Sequence, residues 1–174
     1  VLSHITDKLY RRNPTYRPLV AAFCSIVEGV LFMIFFAVPM KLNIYTDDPI
    51  DAFFAMIHML YTNPQIFMLF IVFFIAMFFN SPVGAIRNSV LSDVNLPEDK
   101  ATVLSAINIG ELLSKSIGVS IVGALSDLFG SLRIPIIITM SIWILSGASW
   151  ILVAKHYQRD ILKIRRILEQ RIKT

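Results

Sequence analysis

The sequence predicts an all-α integral membrane fold with four transmembrane helices. Two observations predict it. Of 174 residues, 56% are hydrophobic and only 16% are charged, against about 45–50% and 25% in a soluble domain. The mean hydropathy is +0.68, and the apolar residues fall into four long blocks rather than a scattered core pattern. A hydrocarbon core of about 30 Å takes about 20 residues to cross. Lipid offers the backbone no hydrogen-bond partner, so each block is read as a helix.

Taken in order, residues 1–17 carry Lys8, Arg11, Arg12 and Arg17 without an apolar run, so they read as an extramembrane loop and not as a secretory signal. The sequence opens on Val1 rather than Met and reads as a fragment or a processed product. The first span is expected over Pro18–Met40. Ile50–Tyr61 is apolar but too short to cross, and reads as an interfacial helix. His58 within it has no second ligand at metal spacing, so it reads as an interface histidine. The second span, Gln65–Arg87, follows Asn63-Pro64, a cap residue before a helix-starting proline. Its Asn80-Ser81-Pro82-Val83-Gly84 run predicts a kinked or loosened stretch, and Arg87 at its end is expected to snorkel. The third span, Ala101–Ser126, is preceded by Asn95-Leu96-Pro97-Glu98, which has capping-box spacing. Gly130 and Pro135 punctuate the connection to the fourth, Ile134–Ala154. The tail, 155–174, sets Ile161, Ile164, Leu168 and Ile172 at near-helical spacing among seven basic residues. Two readings of it are open. It is an amphipathic helix on an anionic inner leaflet, each cation adding about 1 kcal/mol near the surface, or a solvated basic tail.

Basic residues orient the spans. The N-terminal segment, the second connection (Arg87, Lys100) and the tail together hold thirteen Lys and Arg, against Lys41 and Arg133 on the other side. Both termini are therefore expected in the cytoplasm, with the protein a multi-pass component of the cell membrane.

The third span carries the densest chemistry. Glu111 and Lys115 sit one turn apart with the acid first, the better order for a helix pair. Charge at the centre of a span costs about 2.5–3.5 kcal/mol per Lys or Asp on insertion, so a lipid-facing helix has little reason to carry the pair. Asn108 extends the polar stripe. Ala106, Gly110, Ser114 and Gly118 beside it form a small-residue seam for a neighbouring helix. The stripe reads as a substrate or proton pathway; the competing reading is a self-compensated pair that anchors helix packing. Glu28, about 15 Å into the first span, shares a small, polar face with Ala21, Ser25 and Gly29, opposite Phe23, Val27 and Val30. It either meets Lys115 or takes up protons, or is a buried carboxyl held neutral against a neighbouring helix.

Other classes are excluded or disfavoured. The single cysteine, Cys24, rules out an internal disulfide and a Cys-based metal site. No histidine pair, nucleophile triad, zincin motif or phosphate loop is present. No enzyme activity, cofactor or metal is therefore expected. The basic residues flank spans and do not form a nucleic-acid patch.

Ser3-His4-Ile5-Thr6-Asp7-Lys8-Leu9-Tyr10-Arg11-Arg12 resembles the loop motif G-x-L-x-D-[RK]-x-G-[RK]-[RK] of major facilitator superfamily transporters. Asp7, Lys8, Arg11 and Arg12 match; Ser3 and Tyr10 stand in place of the glycines, and Ile5 in place of Leu. Gly123-Ala124-Leu125-Ser126-Asp127-Leu128-Phe129-Gly130 is a second partial echo without the basic residues. Arg87 to Glu98 is similar to the connection between the tenth and eleventh helices of such carriers. The resemblance covers essentially the whole chain and implies helices nine to twelve, part of a C-terminal half, with substrate held near the midplane between two six-helix halves. It implies site residues Asn108, Glu111 and Lys115, a packing or gating role for Glu28, and a cytoplasmic gate formed by Asp7, Lys8, Arg11 and Arg12. The expected partners are a small solute and the missing N-terminal helices of the same carrier. A stand-alone four-helix subunit that anchors or scaffolds a complex is the alternative.

Overall fold

The structure, a computed structural model, describes residues 2–39 and 48–172, with the backbone alone for residues 2–5 and 7. Met40 and Lys41, which entered the first expected span and the charge argument, lie outside the described residues. Six helices and no strand occur among the described residues: α1 (Leu2–Arg12), α2 (Tyr16–Ala37), α3 (Pro49–Thr62), α4 (Pro64–Val94), α5 (Lys100–Phe129) and α6 (Arg133–Ile172). Four of them, α2, α4, α5 and α6, are long and apolar enough to cross a membrane. They coincide with the four expected spans and give a multi-pass, all-helical architecture. The segment expected as a loop before the first span contains α1, and Ile50–Tyr61 lies within α3.

Local chemistry explains most boundaries. Asn63 closes α3 and opens α4: its Oδ1 accepts from the backbone N–H of Gln65 at 3.0 Å and of Ile66 at 3.5 Å, and Pro64 occupies the first helical position, where no N–H is needed. Asp48 caps α3 in the same way, accepting from Ile50 at 2.8 Å. Gly130 ends α5 with φ 60°, the left-handed geometry that lets the chain turn back. The expected capping box before α5 is not formed. Asn95 instead closes α4, donating from Nδ2 to the Leu91 carbonyl at 2.7 Å, and Glu98 is engaged by Arg171. Asp99 precedes α5 without a side-chain cap. The physical reason is competition: α4 and α5 end and begin within a few residues, and the orphan carbonyls of α4 capture the polar residue first.

The second span does not stop at its proline. Helix α4 runs from Pro64 to Val94 with Pro82 inside it and buried. Likewise α6 continues without interruption from the fourth span through the basic tail, 40 residues or about 60 Å. The apolar stripe of the tail, for which a leaflet-bound and a solvated reading are both open, packs on protein over Ile161. Tyr157 and Ile161 join Ala21, Ile86 and Val90 in the hydrophobic core, with Tyr10, Val20, Val94 and Trp150 around them. Ile164 and Leu168 line a small cavity with Tyr10 and Pro97, which leaves Ile172 exposed.

The core is a layer of three helices with α2 between α4 and α6. The small face read on the first span, Ala21, Ser25, Glu28 and Gly29, is buried, while Phe23 and Val30 are exposed. Two glycines set the α2–α6 crossing. A Cβ on Gly29 would come 2.6 Å from Ile144 Cγ1, and one on Gly147 3.0 Å from both Ile26 Cγ1 and Ser25 Cβ. Helix α5 stands outside this layer: it touches α4 and α6 lightly and buries no residue. Its seam does not serve α2, α4 or α6, since a Cβ at Gly110 or Gly118 would meet nothing within 4 Å.

Candidate functional site

The third span carries the ion pair the spacing predicts. Lys115 Nζ lies 2.7 Å from Glu111 Oε1, an i,i+4 contact within α5. A third member comes from α4. Arg87 donates from Nη1 to Glu111 Oε2 at 2.6 Å, so both carboxylate oxygens are engaged, one by each cation. Arg87 was expected to snorkel toward headgroups; it reaches across to α5 instead, because a carboxylate within range offers a guanidinium a stronger partner than water at the interface. Its Nε is shielded and has no hydrogen-bond partner. Glu111 lies eleven residues past Lys100 in α5, about 16 Å along the helix, so the cluster joins the middle of the apolar stretch of α5 to Arg87 at the end of the second expected span. Asn108 stands one turn before it on an exposed stretch. The hydroxyls of Ser116 and Ser120 are satisfied inside α5, donating to the Leu112 and Ser116 carbonyls at 3.1 Å each.

Glu28 is elsewhere. It is enclosed where α2, α4 and α6 meet, only 2% exposed, and it does not reach Lys115. The Asn80 side-chain amide donates to its Oε1. The Trp143 indole lies beside the same carboxyl, but Oε2 has no partner in hydrogen-bonding geometry. Asn80 was singled out in sequence as part of a helix-loosening run; its structural role is to meet Glu28.

A second polar cluster ties the ends of the helices together at the basic end of the molecule. Arg17 Nη1 sits 2.6 Å from Asp93 Oδ2, and the Tyr157 hydroxyl donates to the same oxygen at 2.5 Å. The Arg17 guanidinium also lies 3.7 Å from the centre of the Tyr10 ring, a cation–π contact. Burial and the Asp93 carboxylate push the Tyr10 phenol up, so it stays a neutral donor. The motif residues do not build this junction. Lys8, Arg11 and Arg12 are exposed, and the side chain of Asp7 lies outside the described residues. Sequence reading counted Arg17 only as a topological charge. Asp93 lies within the Arg87 to Glu98 connection, and nothing local in the sequence marks its partners.

No group of three or more metal-ligating side chains occurs among the described residues. Comparison with known proteins yields no match to a protein-family model, a curated protein or a solved structure.

Proposed function

We propose that this chain is part of a secondary carrier of the major facilitator type, which moves a small solute by alternating access. The observation that carries this reading is the Arg87–Glu111–Lys115 cluster. It sets Glu111 and Lys115 within the apolar stretch of α5, the candidate span that contributes no buried residue to the core, and pairs them with Arg87 of α4. Charges held at that depth are expensive unless they line a pathway or face further protein. In this reading Glu111 is the proton- or substrate-responsive carboxylate, Lys115 and Arg87 are its counter-charges, and Asn108 lies beside them. Glu28 has a packing or gating role. The Arg17–Asp93–Tyr157 junction takes over the gate assigned to Arg11 and Arg12. Both termini are cytoplasmic in a cell membrane, and the exposed Lys155, Arg159 and Lys163 of the tail face anionic headgroups.

Solute uptake into proteoliposomes by the full-length protein tests the coupling. Glu111→Gln is expected to abolish the pH dependence of uptake; pH-dependent transport that persists unchanged removes Glu111 from the coupling role. The unpacked seam of Ala106, Gly110, Ser114 and Gly118 favours a second reading, a subunit that docks a partner's helix. The upstream reading frame separates the two: about eight further spans support the carrier, and a start codon beside Val1 supports the subunit.

A further inference from the structure

We infer that the Arg87–Glu111–Lys115 cluster selects an anionic solute, a small molecule bearing a carboxylate or phosphate; the inference rests on the carrier reading above. Two fixed cations converge on one carboxylate. Glu111 commits Oε2 to Arg87 at 2.6 Å and Oε1 to Lys115 at 2.7 Å, so one unit of positive charge is left over. Among the described residues, no further acid makes an ion pair with Arg87 or Lys115. Glu28 is enclosed against Asn80, and Asp93 is held by Arg17 and Tyr157. Asp127 is sixteen residues further along α5, about 24 Å away along the helix axis. Asp160 and His156 line a cavity of about 450 Å³ that Arg87 also borders, but Asp160 makes no ion pair with Arg87 among the described residues, and Arg159 and Lys163 flank it on α6.

Unused donors point the same way. Arg87, with 31% of its side chain exposed, engages Glu111 through Nη1 alone, and Lys115, with 69% of its side chain exposed, has ammonium protons beyond the one Glu111 takes. A guanidinium beside an ammonium is a natural cradle for a carboxylate or phosphate oxygen, which satisfies both charge and hydrogen bonds. A neutral solute leaves the surplus charge unbalanced in a medium of low dielectric, and a cation adds repulsion to it.

The test uses the full-length protein in liposomes of phosphatidylcholine alone, where no anionic headgroup can occupy the cluster. The labelled probes are short-chain dicarboxylates, phosphate monoesters, neutral sugars and primary amines. Uptake confined to the anionic probes is expected. Lys115→Gln should cut it about tenfold or more, and Lys115→Arg should restore most of it. Glu111→Gln, which raises the surplus to two charges, should tighten anion binding. Parallel gel filtration establishes that each variant is folded. Preference for sugars or amines, or anion uptake indifferent to Lys115→Gln, overturns the inference while leaving a carrier. Uptake of no probe at all overturns the carrier reading with it.

Discussion

Asp93 is the acceptor on which the basic end of the molecule turns. It takes a hydrogen bond from Tyr157 on α6 and an ion pair from Arg17 on α2, joining three helices through one carboxylate. The Arg17 side chain is only 12% exposed and that of Asp93 27%, so removing the acid takes the counter-charge from a largely desolvated guanidinium, which keeps its contacts with Tyr10 and Tyr157. Breaking a buried pair from one side costs about 3–5 kcal/mol, and the partial exposure of Asp93 puts this case near the lower figure. Asp93→Ala is therefore expected to lower the thermal denaturation midpoint in detergent sharply, and the double variant Arg17→Met/Asp93→Leu to recover much of the loss. If the double variant is as unstable as the single, the pair is not what holds the junction. At this scale the sequence was legible where partners are local. The Glu111–Lys115 contact follows from an i,i+4 spacing. Arg87, Asn80 and Tyr157 could not be assigned, because their partners lie 24, 52 and 64 residues away and only helix packing sets those registers.

Between elements, close approach is concentrated at the α2–α6 crossing. Gly147 faces Ser25 Cβ, Ile26 Cγ1 and the Ile26 backbone, none of which can swing away as a flexible chain end would. Gly147→Ala should overpack the crossing and cost about 1–3 kcal/mol, read as a lower midpoint in the same detergent melt. Gly84→Ala is the matched control: open space surrounds its Cβ, so the midpoint should not fall. Equal losses for both would mean that helix backbone effects, not the crossing, determine the response. The small residues that mattered for the core were thus on α2 and α6. The more regular seam on α5 was the more conspicuous in sequence, since a four-residue repeat is visible without knowing what it faces.

Across the whole molecule, an exposed contact helps to pin the far end of the long α6. Arg171 hydrogen-bonds Glu98 in the α4–α5 connection and holds its carboxyl below the usual value of 4.5. A depressed acid contributes stability above its ordinary value and loses it as pH falls through the lower folded value. Both side chains are about half exposed, so the effect belongs to the last turns of α6 and not to global folding. Amide exchange in those turns should accelerate as pH is taken from about 6 to about 3, after correction for intrinsic rates, and Glu98→Gln should remove the change. Exchange that stays flat with pH in the unmodified protein would mean that the Glu98 contact does not hold the tail.

What the sequence by itself determined is the set of spans, most of their ends and the ion pair on α5, because hydropathy, caps and i,i+4 spacing act within a turn or within one helix. Only the tertiary structure decided that Arg87 joins Glu111, that Glu28 meets Asn80 and not Lys115, and that the basic tail packs its apolar face on protein. Each of those outcomes is a competition between partners far apart in the chain. Such competitions are settled by which helices pack and in what register, and neither is written in any single segment.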